Sequence, residues 1–493
     1  MKNILIAVDL GASVCKIYTG YLSHDKLYIA EKHRFKNIPI SLNEELFWDF
    51  PLIYKNIMYS LNNIISEENA QYSIGIDSWG VDFGLLYKDK YLLGNPLHYR
   101  NMFKTKIMEE TVERIGKKWI FEKAPTQFQP FNTLYQILFY QKYLPDILNI
   151  STTMLTIPSL INFFLTGSKV IDFTMATTTQ IYNPLKKCWS SDIIKYFKIP
   201  DIFPDVVPAG TIVGDVKKDI IGGKNVKVVM PASHDTASAY ASICSDYENT
   251  LILSLGTWCL TGIVLKEIEL KDEIMNENLA IEGCLDGSYR VLANVTGLWL
   301  IEKLIEYWNL PGSTEIYEQL VRMAESATDF ASFFDVDDKI LQYTNNMEES
   351  IVEASMKFCG TKPKNREEFI RTALESIAFK IRKTREKLES IFNTKLSKAH
   401  IIGGGIRNTL LCQLIANALN LRVFTGPIEG TAVGNIISQL YSLKIVKTFQ
   451  DIKHIIEHSF DIKEYQPMDI DNWEKGYINY TKFYKQKESR LCI

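Results

Sequence analysis

The chain has 493 residues, 46% apolar and 23% charged, with 55 basic side chains against 58 acidic ones and a formal charge of −3. This is close to an average globular composition, and the near-neutral balance excludes a basic surface built for nucleic acid or anionic membrane as the main partner. A single core stops growing beyond roughly 250–300 residues, so at least two lobes are expected.

The N-terminus, MKNILIAVDLGASVCKIYTG, has a short apolar run interrupted at Asp9. It lacks the longer apolar region and small-residue cleavage site of a secretory signal. No window reaches the roughly 18 uncharged apolar residues of a membrane span. The eight cysteines (15, 188, 244, 259, 284, 359, 412 and 492) form no CxxC pair and are expected as reduced, mostly buried thiols. A cytoplasmic protein is the expectation.

In chain order, Ile4 to Val8 reads as a strand, 9–13 as a tight turn and Lys16 to Tyr21 as a second strand. Tyr72 to Ile76 is a buried-type strand ending at Asp77-Ser78-Trp79-Gly80. Residues 95–225 form a long aromatic-rich insertion. Val226 to Met230 is a strand leading to His234-Asp235-Thr236, and 245–250 is the best boundary between halves. Leu251 to Leu253, the turn 254–257 and Cys259 to Leu265 then repeat the opening hairpin. Thr296 to Trp308 is expected as a helix, with Trp299, Tyr307 and Trp308 in the core. Arg366 to Phe392 has apolar residues at helical spacing. His400 to Ile402 runs into Gly403-Gly404-Gly405, Thr409 to Leu419 is a helix capped by Asn408, and Val423 to Thr425 is a strand. Three strand–turn pairs recur in the same order, 11 with 256, 72–80 with 400–405, and 228–237 with 423–432. They suggest an internal duplication. Strands alternating with helices predict α/β layers. The expected division is 1–244 with its insertion, 245–445, and a helical tail over 446–493 that packs back on the lobes.

The chain has no GxxxxGK[ST] loop, no GxGxxG, no HExxH and no GxSxG. What remains is a pair of glycine-containing hairpin turns, whose backbone N–H groups suit phosphate oxygens. Asp9 in the first turn suits Mg²⁺, though the same residues also suit a plain hairpin. Asp235 follows a buried strand, where α/β proteins bind ligands. It suits proton acceptance from an attacking hydroxyl and equally suits capping the helix that begins beside it. His234 is read first as a hydrogen-bonded structural histidine. The segment Asp77 to Gly84 combines carboxylates with a Trp and suits a polyhydroxylated ligand or a hairpin with a core Trp.

Together these residues resemble the FGGY family of carbohydrate kinases, most closely the rhamnulokinases among them. The matching stretches are AVDLGAS (7–13), IDSWGVDFGLL (76–86), QPFNTLYQ (129–136), ASHDTASA (232–239), LSLGTW (253–258), NVTGLWL (294–300) and GGGIRNTLL (403–411). The resemblance implies an α/β fold of two actin-like (ribonuclease H-like) ATPase lobes related by duplication, with a catalytic cleft between them. It implies transfer of the γ-phosphate of MgATP to a ketose, L-rhamnulose at O1 for that branch. Asp235 is then the proton acceptor. Gly80, Asp82, His234, Thr236 and Asn294 lie on the sugar side. Gly11, Ser13, Val14, Cys15, Lys16, Ile17, Gly256, Thr257, Glu302, Gly404 and Gly405 lie on the nucleotide side, and Asp9 holds Mg²⁺. The expected partners are sugar and ATP, with no nucleic acid or membrane, in a monomer or homodimer.

Five residues at three places depart from the family pattern. Val14-Cys15-Lys16 stands where Ser-Gly-Arg is usual, which removes a hydroxyl, a glycine and a planar bidentate fork. Asn101 replaces an acid, and Glu302 stands where Gln is typical. Three other readings compete: a kinase of L-fuculose, D-xylulose or another polyol; an actin-like nucleotide-dependent interaction protein; and an inactive sugar sensor.

Overall fold

A computed structural model describes residues 2–66, 70–243, 246–342, 344 and 346–491. Cys244, Ser245 and Cys492 therefore lie outside the described residues. The chain divides into two compact units, Met1–Cys244 with Val264–Val291 and Glu429–Phe460, and Ser245–Ile263 with Leu292–Ile428 and Asp461–Ile493. The units interleave along the chain, because segments that follow residue 245 return to complete the first one.

The first unit is built on a six-stranded sheet of β1 (Lys2–Leu10), β2 (Val14–Ser23), β3 (Lys26–Lys36), β4 (Ala70–Ser78), β5 (Thr211–Asp215) and β6 (Val226–Met230), in the order β5-β6-β4-β1-β2-β3. β1, β4 and β6 are parallel, while β2 and β3 return antiparallel at one edge and β5 closes the other. β1 reads KNILIAVDL and buries Leu5 to Val8 completely, as a central strand covered on both faces must.

Helix Gly430–Ser442 packs against this sheet and against helix Asp235–Ala241. A Cβ on Gly434 would stand 1.7 Å from the Ser238 carbonyl oxygen, so only glycine permits the approach. A buried amide ladder ties the helix to the strands. Gln439 Nε2 donates to the Ile6 carbonyl at 3.0 Å and to Asn435 Oδ1 at 2.8 Å, and Ser73 Oγ donates to Gln439 Oε1 at 2.6 Å.

The insertion is compact and mixed. Its central helix, Thr133–Tyr143, is buried from Thr133 to Tyr140 and so has no amphipathic stripe. Its strand Phe83–Tyr87 pairs with Thr153–Thr156.

The second unit repeats the sheet logic with β7 (Thr250–Leu255), β8 (Trp258–Leu265), β9 (Tyr289–Thr296), β10 (Lys398–Ile402), β11 (Arg422–Thr425) and β12 (Lys463–Tyr465). β7 pairs antiparallel with β8 and parallel with β10; β10 pairs parallel with β11, and β11 antiparallel with β12. The series β2-β1-β4-β6-β5 in the first unit has the same alternation of directions, which is the pattern a duplication leaves.

Helix Arg366–Phe392 starts as its spacing predicts, with Asn365 accepting from Glu368 N at 2.9 Å. Asn408 caps Thr409–Leu419 in the same way, through Leu411 N at 2.9 Å. The tail is not uniformly helical. Helix Phe449–Ser459 belongs to the first unit, while β12 and helix Ile470–Leu491 belong to the second, where Trp473, Tyr477 and Tyr480 pack on Phe379.

Two boundaries differ from the sequence reading. The helix expected from Thr296 begins at Trp299, because β9 runs on to Thr296. Gly297 N then donates to the Thr257 carbonyl at 3.1 Å and Leu298 N to the Gly256 carbonyl at 2.9 Å, which tie this stretch to the Gly256 turn. In that helix Trp308 is buried but Tyr307 is exposed and Trp299 only half-buried, so the three aromatics are not one core stripe. Likewise β2 begins at Val14, so Cys15 is extended strand and its lack of glycine's left-handed freedom costs nothing.

Candidate active site

At the ends of β1, β4 and β2, register places Asp9 opposite both Asp77 and Lys16. Paired residues on adjacent strands share a face, so two carboxylates and an ammonium converge. Burial, with Asp235 adding like charge, pushes the Asp9 carboxyl up to about 7. Asp77 is completely buried and also held well above the usual range, by burial first and Asp9 second. Asn435 Nδ2 donates to Asp77 Oδ2 at 2.5 Å, while Oδ1 is buried with no hydrogen-bond partner among the described residues. Three crowded carboxylates and an orphaned oxygen are a hard-oxygen set that a divalent cation fits. Lys16 Nζ bonds Glu429 Oε2 at 2.8 Å.

The turn after β1 is tight. A Cβ on Gly11 would lie 2.5 Å from the Val14 carbonyl oxygen, and Asn37 Nδ2 donates to the Gly11 carbonyl at 3.1 Å. Ser13 is exposed at the tip, Val14 half-buried, and Cys15 and Ile17 fully buried.

Asp235 is the first residue of its helix and does not cap it; His234 occupies the cap position and makes no side-chain cap bond. The Asp235 carboxylate accepts from Thr236 N at 2.5 Å and Thr236 Oγ1 at 3.1 Å. The loop before it is held from two directions. Ser78 N donates to the Ser233 carbonyl at 2.9 Å, and His234 N to Thr174 Oγ1 at 3.1 Å.

Behind His234 lies a buried ion pair. Arg290 Nη2 is 2.5 Å from both Glu282 Oε2 and His234 Nδ1, and Arg290 Nη1 donates to the Gly283 carbonyl. Glu282 Oε2 is 3.1 Å from His234 Nδ1, and His234 Nε2 is 3.5 Å from Asp235 Oδ1. Burial would raise the Glu282 carboxyl, but the charges and hydrogen bonds of Arg290 and His234 hold it down at about 2.

Beside this loop, Gly80 and Val81 abut Thr178. A Cβ on Gly80 would meet Thr178 Cγ2 at 3.0 Å, and Val81 N donates to Thr178 Oγ1 at 3.2 Å. Val81 has a φ of 68°, which costs a β-branched residue about 1–3 kcal/mol and marks a turn fixed by its surroundings. Asp82 is completely buried and accepts from Trp48 Nε1 at 2.6 Å, Gln136 Nε2 at 2.8 Å, Trp79 Nε1 at 2.9 Å and Tyr99 N at 3.3 Å. Trp48 stacks on His98 at 4.0 Å and packs on Trp79 at 4.1 Å. Trp79 is thus a core residue of this hairpin, and Phe103, Tyr99 and Phe131 are the aromatics with exposed surface.

The second unit holds the other glycine turns. Gly256 N bonds the Trp258 carbonyl at 2.8 Å, and Thr257 Oγ1 lies 3.4 Å from Glu302 Oε1, both exposed. Gly405 is buried against Leu255, where a Cβ would lie 2.4 Å from Cγ, whereas a Cβ on Gly404 would meet nothing within 4 Å. Asn294, on β9, has a buried Oδ1 with no partner among the described residues.

Residues 4–242 match the N-terminal domain of the FGGY family of carbohydrate kinases, and residues 251–443 match its C-terminal domain. The chain belongs to the FGGY family of carbohydrate kinases. The kinase is 32% identical over 474 residues to a protein named rhamnulokinase from Oceanobacillus iheyensis, covering 96% of this chain and all of that one. It is 31% identical to one of the same name from Bacteroides thetaiotaomicron, covering 97% and 99%. Among solved structures it superposes on a gluconate kinase from Lactobacillus acidophilus with TM-score 0.81 and 18% identity over 99% and 98% of the two chains. A ligand-bound xylulose kinase from the same organism gives 0.80 and 17%, over 98% of each. These confirm the α/β fold of the actin-like ATPase type expected from the motifs. The kinase uses ATP as phosphoryl donor and a carbohydrate as acceptor. No helix among the described residues is long and apolar enough to cross a membrane.

Of the residues the motifs point to, Asp9, Gly11, Ser13, Val14, Cys15, Lys16, Ile17, Gly80, Asp82, His234, Asp235 and Thr236 lie in the first unit, and Gly256, Thr257, Asn294, Glu302, Gly404 and Gly405 in the second. Sequence reasoning missed Asp77 as a partner of Asp9, and missed Glu282, Arg290, Glu429 and Asn435 altogether. A strand register gives the first. The other four come from segments far along the chain and carry no local signal. Asn101, in the place of the family's acid, is buried and pairs with the backbone of Leu46 through both side-chain ends, at 2.9 and 2.7 Å.

Proposed function

We propose that the kinase phosphorylates a ketose, most closely L-rhamnulose at O1, with MgATP. The observation that carries the sugar is the name shared by relatives 31–33% identical over nearly the whole chain. In the reaction, Asp235 takes the proton of the attacking hydroxyl as its oxygen bonds the γ-phosphorus and the bond to ADP breaks. His234 and Thr236 orient the sugar at that carboxylate, with Gly80, and in the second unit Asn294 is assigned to sugar binding. Asp82 acts through the groups it holds, the Trp48 and Trp79 rings and the Tyr99 backbone. Gly11, Ser13, Val14, Lys16 and Ile17, with Cys15 packed beneath, shape the phosphate turn of the first unit. In the second unit Gly256, Thr257 and Glu302 suit nucleotide phosphates, and the open backbone at Gly404 beside Gly405 suits an adenosine.

Mg²⁺, held by Asp9 with Asp77 behind it, would supply charge neutralisation for the phosphates. Positioning supplies most of the remaining catalysis. The assignment divides the chain into a sugar-side lobe around 1–244, a nucleotide-side lobe around 245–445 and the tail 446–493. We place it in the cytoplasm as a monomer or homodimer.

A panel of L-rhamnulose, L-fuculose, D-xylulose and D-gluconate with MgATP, read as ADP release, tests the assignment. L-rhamnulose ranks first in kcat/KM if it holds. A higher value for another sugar reassigns the substrate, and sugar-independent ADP release defeats the mechanism.

A further inference from the structure

Helix Phe449–Ser459 lies against β3 and carries His454 and His458 one turn apart on its exposed face. Asp25 sits in the turn between β2 and β3, exposed as well. One ligand atom from each of the three lies within 4.8 Å of the others. His454 Nε2 is 3.3 Å from Asp25 Oδ2. His458 Nδ1 is 2.8 Å from the His454 carbonyl oxygen, which can only accept, so Nδ1 carries the proton and the neutral ring presents a lone pair at Nε2. A backbone carbonyl holding one ring nitrogen is the usual means of fixing a metal-binding histidine. The two rings are 3.9 Å apart.

The frame beneath these side chains is fixed. Leu27 N, just past the hairpin turn, donates to Ser459 Oγ at 2.8 Å, and Ser459 Oγ donates to the Ile455 carbonyl. A capping box of Thr448 and Asp451 fixes the start of the helix.

We infer that Asp25, His454 and His458 form a surface site for a borderline divalent transition metal, Zn²⁺ foremost. With metal–ligand bonds of about 2.0–2.1 Å, tetrahedral ligands stand about 3.3 Å apart, the spacing His454 and Asp25 already have. Two imidazoles and one carboxylate favour Zn²⁺, Co²⁺, Ni²⁺ or Cu²⁺ over Mg²⁺, which prefers oxygen alone. The remaining position is left to water. The site is distinct from the phosphoryl-transfer residues and clips the β2–β3 hairpin to a helix more than 400 residues later. A metal there binds the folded chain and stabilises it.

The test uses the full-length protein stripped with EDTA and titrated with Zn²⁺ alone in millimolar Mg²⁺, by calorimetry and thermal unfolding. Wild type is expected to bind one Zn²⁺ more than the double variant H454A/H458A and to gain several degrees in Tm that the variant does not gain. Kinase activity in Zn²⁺-free buffer is expected to be equal. Identical stoichiometry, or a Zn²⁺-dependent Tm gain that survives in the variant, overturns the site. Should the double variant fail to fold, Asp25→Asn with Co²⁺ decides. Loss or change of the four- or five-coordinate absorption bands supports the site, and unchanged bands overturn it.

Discussion

Glu282 stands 3.1 Å from His234 Nδ1, and the other side of the same imidazole faces Asp235. Glu282 shares its Oε2 with Arg290, whose side chain is wholly buried. Removing one member of a buried pair leaves the other as an uncompensated charge, which costs about 3–5 kcal/mol. Glu282→Ala is therefore expected to lose about that much stability in urea unfolding. Glu282→Gln keeps the shape and a hydrogen bond, so its expected signature is a lower kcat at near-normal KM for ATP.

Asp235→Asn keeps the volume and removes the proposed proton acceptor. A general base contributes about 10²- to 10⁴-fold, so kcat is expected to fall within that range while the fold is retained. Steady-state rates with the preferred sugar, alongside circular dichroism, check both halves. Full activity in this variant would defeat the assignment of the proton acceptor.

His98 gives the stability a pH dependence. Burial, with Arg100 second, holds its imidazole at about 4, below its ordinary 6.5, and its Nδ1 accepts from Arg100 N at 3.1 Å. Between those two values the folded state binds fewer protons than the unfolded one, so this contribution is present above 6.5 and is lost as pH falls through 4. The Tm difference between wild type and His98→Gln is expected to shrink or reverse from pH 7 to pH 4. A difference independent of pH would contradict the neutral, stacked imidazole.

The side chains of Lys16 and Glu429 are 24% and 25% exposed, and a partly exposed pair of this kind is worth at most about 1 kcal/mol. Lys16→Ala is expected to change stability by no more than that. If Lys16 serves the nucleotide phosphates, the same variant raises the KM for ATP several-fold and leaves the KM for sugar unchanged. Calorimetric titration with MgATP separates the two effects.

Gly434→Ala would drive a Cβ to 1.7 Å from a backbone oxygen, where neither helix has a flexible group to yield. Overpacking usually costs about 1–3 kcal/mol, and this contact belongs at or above the upper end. Because the two helices carry Asn435 and Asp235, activity is expected to fall with stability. A Tm within two degrees of wild type would show that the helices separate easily.

The sequence by itself determined the elements and the chemistry that depends on local pattern. Apolar runs such as Ile4 to Val8, the side-chain cap at Asn408 and the 27-residue periodicity from Arg366 all act within one segment, so they are legible there. So were the motifs that carry Asp9, Asp235 and the glycine turns, since an acid at or just past a strand end has a recognisable neighbourhood. The sequence erred where long-range bonds override propensity: at Gly297 and Leu298 the Gly256 turn captures the backbone N–H groups that a helix start would otherwise leave to local caps or water.

Only the tertiary structure decided what surrounds those acids. Asp77 became a partner of Asp9 through parallel register, and Asn435 reached it from 358 residues away. Glu282 and Arg290 came to His234 because the chain returns after residue 264 to the first unit. The opening composition, with no excess of positive charge, had already excluded a basic surface for handling phosphate. The folded chain shows what that near-neutral balance contains: a few carboxylates and one lysine, brought together by sheet register and a covering helix, with burial raising the Asp9 and Asp77 carboxyls.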